Sequence, residues 1–401
     1  MKLYDYQHKG MLFLSNRNRA YLADVPGLGK TAQALMAADA VRRYPFVVCP
    51  ASAVPVWEDE SRKWGVPLAG VVSYTKLAAL ADSQNIQELL RKPELVVLDE
   101  VHFCKSPNAK RTKAALGLAA RAGQAWVLSG TPMPNNPSEL YTVFDALWPR
   151  KIPQRADTFE GWRDYFCQWY PQRVSQYRTV PKITGVKRGP ELREMVRGVM
   201  LRRHLEDVNL QLPPLRLHVV PLPADEAFAR ELETAIGNGE IETPTVRRLL
   251  GTHKASRVAD VLLSEGIWPV VVMYHHVDAG AELAVQLRRF KPGIRIAGLS
   301  GSSTQKERGE RVADFQAGKY DVFVVQQQAG GVAITLTRAN EIILLEPDWS
   351  PEVNAQAIKR VHRISQERPT RARIFKVEGS LDEGIMETLA RKIRMRKEIL
   401  S

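Results

Sequence analysis

The residues best suited to chemistry lie in two short stretches. LADVPGLGKTAQAL, Leu22 to Leu35, places Gly29-Lys30-Thr31 directly before a run of strong helix formers. Backbone N–H groups of such a glycine turn, together with a helix N-terminus, face an anion. The general phosphate-loop pattern has a glycine where Asp24 stands, and Pro26 falls inside the loop. Taken alone, a glycine-rich turn before a core helix explains this stretch equally well. LVVLDEVH, Leu95 to His102, decides between the two readings, because an apolar strand runs straight into two acids. Such strand ends sit at the ligand crevice of parallel sheets, and unpaired carboxylates are costly to bury for packing alone. Together the two stretches ask for ATP and Mg²⁺. Lys30 reaches the β/γ-phosphates, Thr31 and Asp99 hold the metal, and Glu100 orients or deprotonates the attacking water.

Those groups need parallel strands to bring them together, and the chain supplies candidates. Short apolar runs at 45–49, 70–74, 94–99 and 125–129 alternate with helical patterns in the first half. Runs at 269–274, 295–299, 320–326, 341–346 and 372–377 do so in the second half. Strands this apolar are covered on both faces, as in α/β folds. Two such arrays in tandem predict two α/β lobes with parallel sheets. The expected division is 1–149 for the first lobe and 150–200 for a helical, basic insertion. Residues 201–223 would end lobe one and link it onward, with the second lobe at 224–375 and a C-terminal helix at 376–401 packing back across the lobes.

The chain has 401 residues, a formal charge of +13 and a pI near 9.6, which favour a polyanionic partner. From Arg150 to Arg197 there are 11 Arg/Lys against 5 Asp/Glu, interleaved with Trp162, Tyr165, Phe166, Trp169, Tyr170 and Tyr177. Basic residues among aromatics suit a nucleic-acid-facing insertion; a small subdomain with an aromatic core and a solvated basic face fits as well. Asn209 to Pro223, rich in proline, reads as the linker. Cys49, Cys104 and Cys167 form no paired spacing, which argues against a disulfide framework or a zinc ribbon. No apolar stretch is long enough to span a bilayer, so a soluble protein in a reducing compartment is expected. That compartment is the cytoplasm for a prokaryotic or virus-encoded protein and the nucleus for a eukaryotic one.

Read in order, the motifs resemble those of the SWI/SNF-type ATPases of helicase superfamily two over nearly the whole chain. Tyr4-Asp5-Tyr6-Gln7 resembles the adenine-reading glutamine motif. LADVPGLGKT is similar to the family's own phosphate loop, in which an Asp regularly replaces the first glycine; Val25 and Pro26 are the departures. Val47 to Glu60 matches the next segment, with Trp57 and Glu60 at the family spacing. Asp99 to Ala114 resembles the DExH box and its basic extension, and Leu128 to Pro149 the motif that couples ATP state to DNA contact. Leu201 to Pro214 resembles the end of the first lobe. In the second half Val270 to His276, Leu299 to Gln316, Gln328 to Pro351 and Gln356 to Gln366 continue the match. Ser300, Ala333 and Thr335 depart from the usual Asp, Gly and Asn. His275-His276 and the short insertions lean toward the annealing-helicase-like (HARP-type) branch.

The resemblance implies two tandem RecA-like lobes and a full set of working residues. Lys30, Asp99, Glu100, Arg360 and Arg363 would be catalytic, the two arginines as fingers reaching the γ-phosphate. Gln7, Asp24, Gly27, Leu28, Gly29, Lys30 and Thr31 would bind ATP. His102, Ser129, Gly130, Thr131 and Gln356 would couple the nucleotide to DNA. Lys105, Lys110, Arg111, Thr131, Ser302, Ser303, Gly330 and Gly331 would grip DNA, with Thr31 and Asp99 on Mg²⁺. The implied activity is that of a DNA-stimulated ATPase translocating on double-stranded or branched DNA, remodelling it or displacing proteins, as a monomer with a possible targeting partner and no membrane. Alternatives are a recycler of stalled transcription complexes and an ATP-gated DNA clamp.

Overall fold

The computed structural model describes residues 2–80, 93–175, 178–208, 212–224, 226–237, 244–327, 334–363 and 365–400. They form two units, one of residues 1–210 with 391–401 and the other of residues 211–390. In the first unit the strands are β1 (Arg19–Leu22), β2 (Phe46–Cys49), β3 (Gly70–Ser73), β4 (Leu95–Asp99) and β5 (Gln124–Leu128). Then come a hairpin of β6 (Cys167–Ser175) and β7 (Arg178–Val186), and β8 (Met200–Leu201). All but the hairpin join one parallel sheet in the order β3-β2-β4-β5-β1-β8.

Both faces of this sheet are buried, which is why its strands read as continuous apolar runs. Val96 and Leu98 pack into one core with Tyr21, Val127 and Phe144. Their neighbours Leu95 and Val97 face the opposite core with Leu22, Trp126 and Leu128. The insertion divides by side-chain fate. Trp162 and Phe166 of the helix Phe159–Phe166 are fully buried in the first core, whereas the following residues form the two-stranded hairpin. The stretch is therefore only in part helical. Residues 391–401 close the unit, with Met395 and Ile399 in the same core.

The second unit carries β9 (Leu215–Leu222), β10 (Val270–Tyr274), β11 (Ile296–Leu299), β12 (Val322–Gln326), β13 (Glu341–Leu344) and β14 (Thr370–Val377). They too are all parallel, ordered β11-β12-β10-β13-β14-β9. Strand β9 falls within the stretch read as a linker. Its prolines suggest a break, but an edge strand needs hydrogen bonds on one side only and tolerates Pro221. Strand β14 also runs to Val377, two residues beyond the expected end of the lobe.

One buried charge pair organises the second unit. Lys254, from the helix Pro244–Glu265, donates to both carboxylate oxygens of Asp382 at 3.0 Å, and both side chains are almost wholly buried. Asp382 also accepts the Val377 N–H at 3.0 Å, tying β14 to the start of the C-terminal helix Leu381–Leu400. Removing the cation strands a buried carboxylate, so Lys254→Ala is expected to cost about 3–5 kcal/mol, read as a lower midpoint in urea unfolding.

Candidate nucleotide site

Strand register places the working residues at one level of the first sheet. Leu22, the last residue of β1, lies opposite Leu128 of β5, which in turn lies opposite Asp99 of β4. The loop after Leu22, the Glu100 turn and Ser129 therefore leave the same carboxyl edge side by side. Consecutive strands part there, since β1 and β2 are separated by β5 and β4. That is the place where open α/β sheets bind ligands.

The loop is held from below by a buried network. Asp24 is fully buried, and Arg203 donates to both its carboxylate oxygens, through Nε at 2.9 Å and through a terminal nitrogen. Arg203 also donates to the Tyr6 carbonyl and, at 2.8 Å, to Gln33 Oε1. The backbone explains how it reaches Asp24: Ala23 N donates to Leu201 O at 2.7 Å and Val25 N to Arg203 O at 3.1 Å. Gln33 completes the set by donating to Asp24 Oδ2 (3.2 Å) and Leu28 O (3.0 Å). Asp24 is thus spent on holding the loop. The Leu28 side chain is buried with Tyr6 and Val25, so only its backbone faces the loop's interior.

The upper side of the loop has the features an anion needs. Gly27 (φ +97°) and Gly29 (φ +72°) occupy the left-handed region, where a side chain is disfavoured. Apart from its two chain neighbours, nothing among the described residues lies within 4 Å of the position a Cβ on Gly27 would take. Gly29 caps the helix Lys30–Ala40, whose first-turn N–H groups lack intrahelical acceptors. Lys30 Nζ donates to the Asp24 carbonyl at 2.9 Å. Gln7 braces the loop: its Oε1 accepts from Tyr4 N at 3.0 Å and its Nε2 donates to Leu28 O at 3.3 Å. Pro26 directly precedes Gly27. Its ring abuts Gly130, where an added Cβ would come within 2.5 Å of Pro26 Cδ.

The two acids are set differently from each other. Trp57 Nε1 donates to Asp99 Oδ2 at 2.9 Å, and the Glu100 N–H donates to Oδ1 at 3.0 Å. Tyr74 Oη donates to the Asp99 carbonyl at 2.8 Å. Burial, and then the neighbouring Glu100 charge, push the Asp99 carboxyl up to about 6. Burial also opposes ionisation of Glu100, but the His102 hydrogen bond and the nearby Lys30 charge overcome it and hold that carboxyl below its ordinary value. Glu100 itself sits at φ +51°, a strained conformation for a side-chain-bearing residue of the kind that gathers at functional sites. Around it His102 Nδ1 lies 3.2 Å from Glu100 Oε2, 2.9 Å from Ser129 Oγ and 3.1 Å from Thr131 Oγ1. Ser129 Oγ in turn donates to Glu100 Oε2 at 3.3 Å and accepts from Thr131 N at 3.1 Å.

The remaining sequence candidates divide. Thr131 is buried in the His102 cluster, with its hydroxyl 3.1 Å from His102 Nδ1. Lys105 is anchored to Glu139 at 3.0 Å and Arg111 Nε donates to Phe103 O at 2.9 Å, whereas Lys110 is exposed. In the second unit Ser302 is exposed and Ser303 Oγ accepts from Ser300 N at 3.1 Å. Gly330 and Gly331 lie outside the described residues. Gln356 belongs to the helix Pro351–Ile358, and Arg360 and Arg363 follow in the next turn. That turn is pinned by buried Gln366, which donates to the Thr337, Ala339 and Val361 carbonyls. Arg363 donates to Thr335 Oγ1 at 2.8 Å, so the departure at 335 positions a finger candidate. Glu346 receives the His275 and His276 N–H groups and His276 Nδ1, which makes those histidines strand-end fasteners.

Sequence reading gave no role to Arg203, Gln33 or Tyr74, and none to Trp57 beyond its motif. Arg203 lies 179 residues from Asp24, and only the pairing of β8 with β1 brings the two together. A buried Asp replacing a loop glycine does demand a cation, and that was the available signal. The Pro26–Gly130 contact yields a test. Gly130→Ala should destabilise the chain by about 1–3 kcal/mol through overpacking, and Pro26→Ala in the same chain should recover most of the loss. Thermal unfolding of the two variants checks this.

The chain is similar to known proteins. Residues 70–232 match the SNF2-related domain and residues 253–365 the helicase conserved C-terminal domain. The chain is 28% identical over 442 residues to human DNA annealing helicase and endonuclease ZRANB3, covering 98% of this chain and 40% of that protein. It is 29% identical over 406 residues to the Caenorhabditis elegans homolog of SWI/SNF-related matrix-associated actin-dependent regulator of chromatin subfamily A-like protein 1, covering 91% of this chain and 57% of that protein. A solved Sulfolobus solfataricus SWI2/SNF2 ATPase core in complex with dsDNA is 20% identical, with a TM-score of 0.45, and covers 100% of this chain and 93% of that one. The chain thus spans about 40% of the length of the first curated relatives. With both domains present in order, the chain belongs to the SWI/SNF-type family of helicase superfamily two.

Proposed function

We propose that this chain is a DNA-stimulated ATPase that uses hydrolysis to translocate on duplex DNA, remodelling structures or displacing bound proteins. The observation that carries the reading is the convergence of the Gly27-to-Thr31 turn, Asp99 and Glu100 at one sheet edge, with each acid held in its own hydrogen-bond setting. The open space at Gly27 and the helix start at Lys30 fit a triphosphate. Thr31 and Asp99 are the residues that would hold Mg²⁺, whose charge offsets that of the phosphates.

The chain's own residues then divide the work. Lys30, which donates to the Asp24 carbonyl, has only to swing from that acceptor to a phosphate oxygen. Glu100, kept ionised, orients the attacking water and accepts its proton. The His102–Ser129–Thr131 cluster touches Glu100 directly, so movement of that segment on DNA binding alters the acid's aim. Arg360 and Arg363 are the finger candidates, and arginine fingers contribute roughly 10³–10⁵ in rate. An annealing helicase among the relatives favours reannealing or translocation over strand separation.

Steady-state hydrolysis with and without duplex DNA, run beside triplex displacement, tests this. Stimulated hydrolysis with displacement is expected. DNA-independent hydrolysis would contradict the reading, and stimulation without displacement would favour an ATP-gated clamp. Lys30→Ala and Arg363→Ala should each lower turnover at least about 10³-fold while sparing DNA binding at low salt.

A further inference from the structure

The hairpin β6–β7 is used by none of the machinery above, and its composition is unusual. Between Asp164 and Glu191 the chain has no acid, yet it carries Arg173, Arg178, Lys182, Lys187 and Arg188. Among the described residues the two strands pair only with each other, at positions running from Cys167↔Val186 to Ser175↔Arg178. Among its described side chains only Cys167 and Val186, at the base, are buried. A two-stranded ribbon is marginal on its own, and like charges along it weaken it further. Burial does not account for these residue types.

Their arrangement has a pattern. Tyr170 stands directly opposite Lys182, so both project from one face of the ribbon, where the ammonium lies 6.0 Å from the ring and Tyr170 is 46% exposed. Trp169 and Arg173 share the other face, and the Arg163 guanidinium covers the Trp169 ring at 4.2 Å. At the base Arg188 stacks on Tyr165 at 4.1 Å. Cations alternating with flat rings on a solvated ribbon match a polyanion that also offers flat faces. A ribbon of this width fits the major groove of duplex DNA.

Building on the reading that the chain works on DNA, we infer that this hairpin is a second DNA contact. It holds the backbone through Arg173 and Lys182 and stacks Tyr170 on an unpaired base at a fork. An acidic protein surface would satisfy the charges but leave the exposed ring without a function.

The test is fluorescence anisotropy of the full chain with blunt duplex and with a fork of equal length, each across a salt series, with basal ATPase read in parallel. Arg173→Ala/Lys182→Ala should weaken binding to both DNAs and flatten the log–log salt slope by about 2. Tyr170→Ala should weaken fork binding about tenfold and leave the blunt duplex unchanged, while Tyr170→Phe and Lys182→Arg keep binding. Basal hydrolysis should be the same in all of them. An unchanged salt slope in the double variant would overturn the ribbon's contact with DNA. Equal losses on both DNAs for Tyr170→Ala would overturn the stacking. Absent hydrolysis with an altered slope would remove the proposed motor function and leave the ribbon standing.

Discussion

The buried pair of Asp24 and Arg203 is the constraint on which the nucleotide site depends. A carboxylate fully removed from water is tolerable only with a cation and further hydrogen bonds, and here it has Arg203 on both oxygens and Gln33 beside it. Arg203 is reachable because β8 adds to the edge of the sheet beside β1. The pair therefore ties the phosphate loop to the chain's return some 180 residues later. The loop's shape is a property of the completed unit, and the segment Tyr21–Thr31 does not specify it alone.

On that fixed base the movable parts are few. Lys30 rests on a backbone carbonyl, and Gly27 has open space. Pro26 and Gly130 are in contact, which joins the loop to the Ser129–Thr131 segment. His102 joins that segment to Glu100 through three short polar contacts. The segment thus touches both the acid cluster and the loop.

Much of this was legible in the sequence, for identifiable reasons. Buried parallel strands leave unbroken apolar runs, and acids at a strand end or a Gly-Lys-Thr turn before a helix have few other uses. What escaped depended on distance or on an edge. Strand β9 looked like a linker because Pro213, Pro214 and Pro221 hide a strand that pairs on one side only. The hairpin was hidden by reading aromatic residues as one set, although Trp162 and Phe166 are core while Tyr170 is exposed. Partners such as Arg203 with Asp24, or Trp57 with Asp99, follow from register, which spacing along the chain does not reveal.

The most direct measurement of the central claim separates binding from chemistry at Glu100. ATP affinity and single-turnover hydrolysis on saturating duplex DNA would be compared for the native chain and Glu100→Gln. The expected result is near-native ATP affinity with hydrolysis slowed by at least about 10²-fold, the scale of losing a positioned base. Native hydrolysis in that variant would contradict the assignment of this strand edge as the site of ATP cleavage.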